Sequence, residues 1–144
     1  RDRLRSRGLG DVYKRQGLRF VTTGGKLAGS YSYDGGYLYR CSLDGDGYAA
    51  LLLGRYKSGS QGRLVTVDSQ GRELASLDID EEVMSLSAAG KYVAVLYQDH
   101  LTIYDKDLQE YAVLKDVSAA GTVLMRSDGS AVLTGASAAS LYLP

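Results

Sequence analysis

Three segments of the chain share one order of elements: a short strand, a turn of small residues and a second, apolar strand. The copies are Ser42–Leu53, Ser85–Leu96 and Met125–Leu133, and they recur at a spacing of about forty residues. The apolar runs are short and alternate with period two or are continuously apolar, which is typical of strands. The 18 glycines, single proline and 12 tyrosines suit a chain with many tight turns. The sequence therefore predicts an all-β protein without helices.

The period also predicts how the strands are grouped. A repeat of about forty residues is the length of one four-stranded blade of a β-propeller, whose sheets stack face to face. The strand Tyr92–Leu96 is apolar at every position, as expected of a middle strand covered on both faces. We predict a partial β-propeller with an open ring, consisting of about three and a half blades of antiparallel four-stranded sheets. The predicted blades lie near residues 17–33, 38–79, 83–115 and 119–144, and the strands predicted within them include Tyr48–Gly54 and His100–Asp105.

The first sixteen residues are treated separately. Ser6–Gln16 resembles the translation of a sequencing adapter, and we predict that residues 1–16 are adapter-derived, disordered and not part of the protein. They carry six of the 17 basic and two of the 17 acidic residues, which leaves 11 basic and 15 acidic residues and a net charge of −4. Because binding to a phosphate backbone needs a clustered basic face, nucleic acid is not an expected partner.

The single cysteine and the lack of long apolar runs argue against two classes of protein, those stabilised by disulfides and those that span a membrane with a helix. Cys41 has no partner for an intramolecular disulfide, and its position in a strand-like run predicts a small core residue. No stretch approaches the roughly 20 apolar residues of a membrane-spanning helix.

The predicted third strands carry a likeness to a known superfamily. Gly62–Arg72 and His100–Asp107 each contain a strand that ends in Asp and turns directly into the next strand. In this they resemble the WD-type and quinoprotein-like propellers. The chain lacks Gly-His and Trp-Asp dipeptides and contains no Trp, whereas quinone-binding members dock their blades with Trp. We therefore expect no cofactor.

Residues 17–144, and especially the ending Ala139–Pro144, are similar to a family of domains of unknown function from Gram-positive gut bacteria. Its members look like an N-terminal membrane anchor followed by an extracytoplasmic propeller. This resemblance implies an extracytoplasmic, cell-surface location through an anchor missing from this fragment. It also implies a protein or cell-envelope ligand as partner, together with the remaining blades of the same chain.

Several residues invite a chemical interpretation, and each also has a structural one. His100 next to Asp99 could belong to a Ser-His-Asp arrangement, but a position at the edge of a turn is favoured. Asp44–Gly47 could begin a calcium loop, but Asp-Gly is also common hairpin chemistry. The acidic run Asp78–Glu82 is typical of a solvated connection. The tyrosines that alternate between Tyr31 and Tyr39 are typical of cross-strand packing. We predict no catalytic, cofactor-binding or metal-binding residues.

One loop favours an interaction surface. The connection between the second and third strands of the 38–79 repeat is about six residues longer than its counterpart in the next repeat. Because successive turns of an antiparallel meander alternate between its two ends, this loop is expected to share an end with the connections between repeats, Ile79–Glu82 and Asp116–Ala119, and with the turn Gln98–Asp99. The predicted interaction residues are Arg55, Tyr56, Lys57, Asp80, Glu81 and Glu82. The alternative is a tolerated insertion without function.

These observations predict a non-catalytic, extracytoplasmic propeller module that interacts with a protein or ligand. The alternative is a fragment of a propeller hydrolase or lyase whose catalytic residues lie on missing blades. A third interpretation is a structural part of a cell-envelope assembly.

Overall fold

The computed structural model describes residues 17–33, 36–54 and 62–144. The prediction for residues 1–16 and the predicted interaction residues Arg55, Tyr56 and Lys57 therefore lie outside the described residues. The described chain contains strands and turns without any helix, which confirms the all-β prediction. Its strands are β1 (Gly17–Val21), β2 (Leu27–Ser32), β3 (Tyr37–Gly45), β4 (Tyr48–Gly54), β5 (Gly62–Asp68), β6 (Glu73–Ile79), β7 (Ser85–Ala89), β8 (Tyr92–Leu96), β9 (His100–Asp105), β10 (Glu110–Lys115), β11 (Ala120–Met125), β12 (Ala131–Gly135) and β13 (Ala139–Tyr142).

The strands form four antiparallel sheets in chain order. Sheet 1 contains β1 and β2, sheet 2 contains β3 to β6, sheet 3 contains β7 to β10, and sheet 4 contains β11 to β13. Within each sheet, every strand pairs with its neighbour in sequence, so each sheet is a simple meander. The predicted strands over Tyr48–Gly54 and His100–Asp105 coincide with β4 and β9.

The core is divided into three apolar layers, one between each pair of consecutive sheets. Leu18 and Phe20 of sheet 1 pack on Leu51 and Val65 of sheet 2. The second layer, between sheets 2 and 3, includes Ala50, Leu52, Leu64, Val93 and Val95. The third layer, between sheets 3 and 4, includes Leu96, Leu101, Ile103, Val123 and Leu133. Adjacent residues of β8 thus belong to different layers, which explains why this strand is apolar throughout.

The first strands of sheets 2, 3 and 4 lie side by side, since β7 contacts both β3 and β11. These strands belong to different sheets, and serine hydroxyls join them. Ser42 Oγ accepts a hydrogen bond of 2.8 Å from the Ala88 N–H, and Ser87 Oγ accepts one of 2.8 Å from the Met125 N–H. These bonds satisfy backbone groups that would otherwise be orphaned at the sheet boundaries.

Aspartate carboxylates accept backbone hydrogen bonds in the tight turns β5–β6 and β9–β10, which lie at the end of the strands away from the links between sheets. Asp68 Oδ1 accepts hydrogen bonds of 2.9 Å from the backbone N–H groups of Gln70 and Arg72, and Asp105 does the same for Asp107 and Gln109. The turn predicted over Asp44–Gly47 is shorter in the structure, because β3 continues to Gly45 and pairs it with Tyr48, which leaves Asp46 and Gly47 between the strands. Gly47 has φ of +73°, a conformation that favours glycine. This end therefore carries short turns with their backbone groups paired.

The prediction for Cys41 was wrong, because its side chain is exposed. Sheet 1 has only two strands, and these cover β4 and β5 but leave the same face of β3 open. Leu43 is accordingly 59% exposed and Tyr39 50% exposed, so the packing predicted for the tyrosines does not extend to Tyr39. Tyr31 and Tyr33 pack against the first apolar layer, on residues of the neighbouring sheet 2.

Candidate functional site

The site lies at the end of the strands that carries the connections between sheets, here called the connection end. Asp80, Glu81 and Glu82, predicted to take part in an interaction surface, link β6 to β7, and all three are exposed. The connection β8–β9 and the link from β10 to β11 reach the same end. The β6–β7 link and the β8–β9 turn lie at one end, as the alternation of turns in an antiparallel meander requires; the position predicted for the long loop lies outside the described residues.

Direct contacts join the three connections. The Gln98 side-chain amide donates a hydrogen bond of 3.3 Å to Glu82 Oε2, and the Val117 N–H donates one of 3.4 Å to the Asp99 carbonyl. Glu81 Oε2 lies 3.7 Å from His100 Nε2. The structure therefore brings Glu81 and Glu82 to the β8–β9 turn, more than fifteen residues away in sequence.

His100 is the centre of this cluster and is held on two sides. It is the first residue of β9, as predicted for a turn-edge histidine. Its Nδ1 donates to Asp99 Oδ1 at 2.7 Å, and this bond lowers the pKa of the Asp99 carboxyl. The imidazole stacks on the Tyr97 ring with centroids 4.5 Å apart and an interplanar angle of 21°. With Nδ1 occupied, Nε2 is directed towards Glu81.

The Tyr97 ring is a rigid support for the imidazole. It is 4% exposed, and its hydroxyl lies 3.3 Å from the Tyr104 hydroxyl. Burial, together with the hydrogen bond to Tyr104, raises the pKa of Tyr97 far above its usual value. The phenol therefore stays neutral at physiological pH and supplies no charge to the site.

A groove of about 540 Å³ runs along β9 and β10 beside His100. Thr102 and Val113, which are paired across the two strands, contribute to its lining. The charged residues that line it are Asp99, Glu110, Lys115 and Asp116, and His100 and Ser118 complete the lining. Since His100 and Lys115 pair across the strands, the ammonium group of Lys115 lies next to the imidazole, and the other charged residues of the groove are carboxylates.

The arrangement suits binding of a cation more than catalysis. One oxygen of Glu81, one of Asp99 and a ring nitrogen of His100 lie within 4.8 Å of one another, so these residues could offer ligands to a metal ion. Among the described residues, the Ser118 hydroxyl makes no hydrogen bond to His100, which a serine nucleophile activated by histidine requires. The described contacts therefore give no support to a Ser-His-Asp site.

Glu110, Lys115 and Ser118 were not predicted as site residues. They could have been predicted only from the pairing of β9 with β10, which places Lys115 opposite His100 and Val113 opposite Thr102. The bulge between Glu110 and Ala112 shifts that register, and a bulge without Gly or Pro leaves no clear mark in a sequence.

Comparison with models of protein families finds no match to this chain, and comparison with curated proteins finds none either. The described residues contain no helix of the length and apolarity needed to span a bilayer.

Proposed function

We propose that this chain is a non-catalytic binding module built on a partial β-propeller with an open ring of about three and a half blades. Four sheets that follow one another in chain order and enclose an apolar layer at each junction support this proposal. The side-by-side first strands β3, β7 and β11 also support it, because the innermost strands of propeller blades line a common axis.

The connection end is the proposed binding surface, and a basic segment of a protein partner is the proposed ligand. One observation carries this assignment: exposed carboxylates from three separate connections meet around the His100 groove. Asp99 and Asp116 line the groove, Glu81 Oε2 lies 3.7 Å from His100 Nε2, and Glu82 accepts a hydrogen bond from Gln98 in the same turn as Asp99. Carboxylates outnumber the lysine among the charged residues that line the groove, three (Asp99, Glu110, Asp116) to one (Lys115), and a surface with an excess of one charge sign steers and orients a partner of the opposite sign.

The groove has the size and lining for a lysine or arginine side chain. Its volume of about 540 Å³ falls within the range of small-ligand sites, which is roughly 300–1,000 Å³. Val113 offers apolar surface for the alkyl part of such a side chain. The carboxylates of Asp99 and Asp116 line the same groove and can accept charge-assisted hydrogen bonds from the cationic head.

The proposed setting is the outer surface of a Gram-positive cell, with attachment through an N-terminal membrane anchor. This part of the proposal rests on the resemblance of residues 17–144 to anchored extracytoplasmic propellers. Partners in that setting include basic proteins and cationic components of the cell envelope.

The proposal is tested by measuring the binding of a fluorescent hexalysine peptide by anisotropy at low salt. The triple variant Glu81→Gln, Glu82→Gln, Asp99→Asn should weaken binding by roughly tenfold, since each partly exposed ion pair contributes about 0.5 kcal/mol. Raising the ionic strength should weaken wild-type binding as well, because salt screens exposed charges.

The matched control removes the same three charges at the opposite end, through Asp44→Asn, Asp46→Asn and Asp107→Asn. These carboxylates are also exposed. Because each variant neutralises three carboxylates, the two variants have the same net charge. Its affinity should stay within about twofold of wild type, because the mean charge of the protein is not what binds the peptide. Equal losses in the two variants would contradict a localised site.

A further inference from the structure

A histidine and two carboxylates from two separate connections meet beside the groove. Glu81 lies in the link from β6 to β7, whereas Asp99 and His100 lie where the β8–β9 turn enters β9. One ligand atom from each of the three residues lies within 4.8 Å of the other two. His100 is also the single histidine of the chain. The fold therefore brings one imidazole and two carboxylates to one position, which the sequence did not predict.

The position of the proton on the imidazole is fixed by Asp99. The hydrogen bond between His100 Nδ1 and Asp99 Oδ1 is 2.7 Å long, and it lowers the pKa of the Asp99 carboxyl. Because an ionised carboxylate can only accept, Nδ1 is the nitrogen that carries the proton. In the neutral imidazole, Nε2 then has a free lone pair. Histidines that bind metal ions have this arrangement, in which the other ring nitrogen donates to a carboxylate that orients the ring.

A second acceptor, the Glu81 carboxylate, lies close to Nε2. Glu81 Oε2 is 3.7 Å from Nε2, and two acceptors at this distance need a cation between them. A proton shared by the pair would draw the nitrogen and oxygen to about 2.7–2.9 Å. A zinc ion with bonds of about 2.0–2.2 Å would hold them about 3.4 Å apart at the tetrahedral angle. The observed distance is therefore closer to the separation set by a metal ion, and the Glu81 side chain is 58% exposed and free to adjust.

The imidazole and its turn are held in place by further contacts. The imidazole stacks on the Tyr97 ring at a centroid distance of 4.5 Å, and Tyr97 is 4% exposed. The Val117 N–H donates a hydrogen bond to the Asp99 carbonyl, which ties the turn to the next connection. Ligands that are already ordered lose less entropy when an ion binds. Since Glu81 and Asp99 are exposed, water can fill the remaining coordination positions.

The donor atoms decide which cation this site takes. An imidazole nitrogen suits zinc, whereas calcium and magnesium take oxygen ligands. We propose that this chain binds a zinc ion through His100 Nε2 and Glu81, with Asp99 as the positioning residue for the imidazole. The two carboxylates outweigh the Lys115 ammonium opposite His100, so the local charge favours a cation. The site does not depend on the binding of a basic segment, because its ligand is the metal ion alone.

Isothermal titration calorimetry with zinc chloride tests the proposal on the 144-residue chain, produced without a polyhistidine tag. The background is Cys41→Ser, because that thiol is exposed and thiolates bind zinc. One ion per chain is expected. The variants Glu81→Gln and His100→Gln should each weaken binding by at least about tenfold, because each removes a ligand atom. Calcium chloride should give no binding over the same concentrations, and calcium that binds as tightly as zinc would overturn ligation by the imidazole.

The matched control is Glu82→Gln, which removes the same charge from the next position of the same link. Glu82 accepts a hydrogen bond from Gln98 and does not belong to the three-residue group. Its zinc affinity should therefore stay within about twofold of the Cys41→Ser background. Equal losses in Glu81→Gln and Glu82→Gln would overturn the proposal and leave only a general attraction of zinc to an acidic surface.

NMR of the imidazole gives a second readout that needs no variant of the site. Because the chain has a single histidine, long-range ¹H–¹⁵N spectra report on His100 alone. Added zinc should shift the Nε2 resonance and leave Nδ1 protonated. Imidazole signals that do not respond to zinc, or zinc bound at Nδ1, would overturn the proposal. Hexalysine binding is measured without zinc, so failure of the metal site and failure of the proposed peptide binding are distinguishable.

Discussion

Sheets 3 and 4 are built from the same repeat and differ in what covers them. In sheet 3, both faces of the middle strand β8 are buried, and its residues Val93 to Leu96 are at most 1% exposed. In sheet 4, the middle strand β12 alternates: Ala131 and Leu133 are buried against sheet 3, and Thr134 is exposed. The difference shows that the burial of a residue here depends on the neighbouring sheet as much as on its own sequence.

The first strands of the two sheets repeat this contrast. On each first strand, the positions on the side of the following sheet are here called outward. On β7 they are Ser85 and Ser87, whose hydroxyls accept hydrogen bonds from the Val123 and Met125 N–H groups of β11. The outward positions of β11 are Thr122 and Leu124, which reach no further strand within the described chain. Sheet 3 is therefore tied to both neighbours, whereas sheet 4 is tied to one, and we expect sheet 4 to open at lower cost.

The largest expected effect comes from comparing the truncation of a buried leucine in sheet 3 with that of an exposed leucine in sheet 4. Leu96→Ala removes a fully buried side chain from the third apolar layer and should lower the free energy of unfolding by about 3 kcal/mol. Leu141→Ala, on the open face of sheet 4, should lower it by less than about 1 kcal/mol. Urea denaturation at a protein concentration that keeps the chain monomeric measures both. Similar losses would mean that the outer face of sheet 4 is covered in solution.

A smaller effect is expected from the serine that joins the two sheets. Ser87→Ala leaves the buried Met125 N–H without its acceptor, which should cost about 1–3 kcal/mol. The control Thr122→Ala removes an exposed hydroxyl at an outward position of β11 and should cost less than about 0.5 kcal/mol. Urea denaturation again measures the difference. If the two substitutions cost the same, the Ser87 hydroxyl does not hold the first strands together.

The strands were largely predictable, because local pattern and turn chemistry agree. Period-two alternation and turns such as Asp44–Gly47 predicted β4 and β9 with the bounds that the structure has. Side-chain burial at the open faces was not predictable in the same way. Cys41 lies in a strand whose pattern is that of a core strand, and it is exposed because sheet 1 does not reach β3. Such exposure depends on a partner sheet that a local pattern does not encode.

The candidate site was predictable in part. The alternation of turns correctly placed Glu81 and Glu82 beside the β8–β9 connection, where they meet Gln98 and His100. The groove was not predicted, because it depends on the pairing of β9 with β10. That pairing brings Lys115 beside His100 after a register shift, and a shift of one residue exchanges the two faces of a strand.

The smallest expected effect is a difference between sheets 3 and 4 in how their protection from amide hydrogen exchange depends on pH. The carboxylate of Asp128, in the turn between β11 and β12, accepts hydrogen bonds from the Ser130 hydroxyl and N–H, and these bonds lower the pKa of Asp128. A carboxyl with a lowered folded pKa stabilises the fold above its unfolded pKa of about 3.9, and this contribution is lost as the pH falls through the folded value. Amide hydrogen exchange between about pH 3 and pH 6 should therefore show falling protection in β11 and β12, after correction for intrinsic rates.

The variant Asp128→Asn keeps the acceptor oxygen without the titrating group, so its protection in β11 and β12 should change less over the same pH range. The hairpin β7–β8, which is covered on both faces, should keep its protection in both proteins, because opening it exposes two apolar layers. If β7–β8 and β11–β12 lose protection together as the pH falls, the two sheets open as one cooperative unit. Covering both faces of sheet 3 would then change how deeply its side chains are buried but would not make it locally more stable than sheet 4.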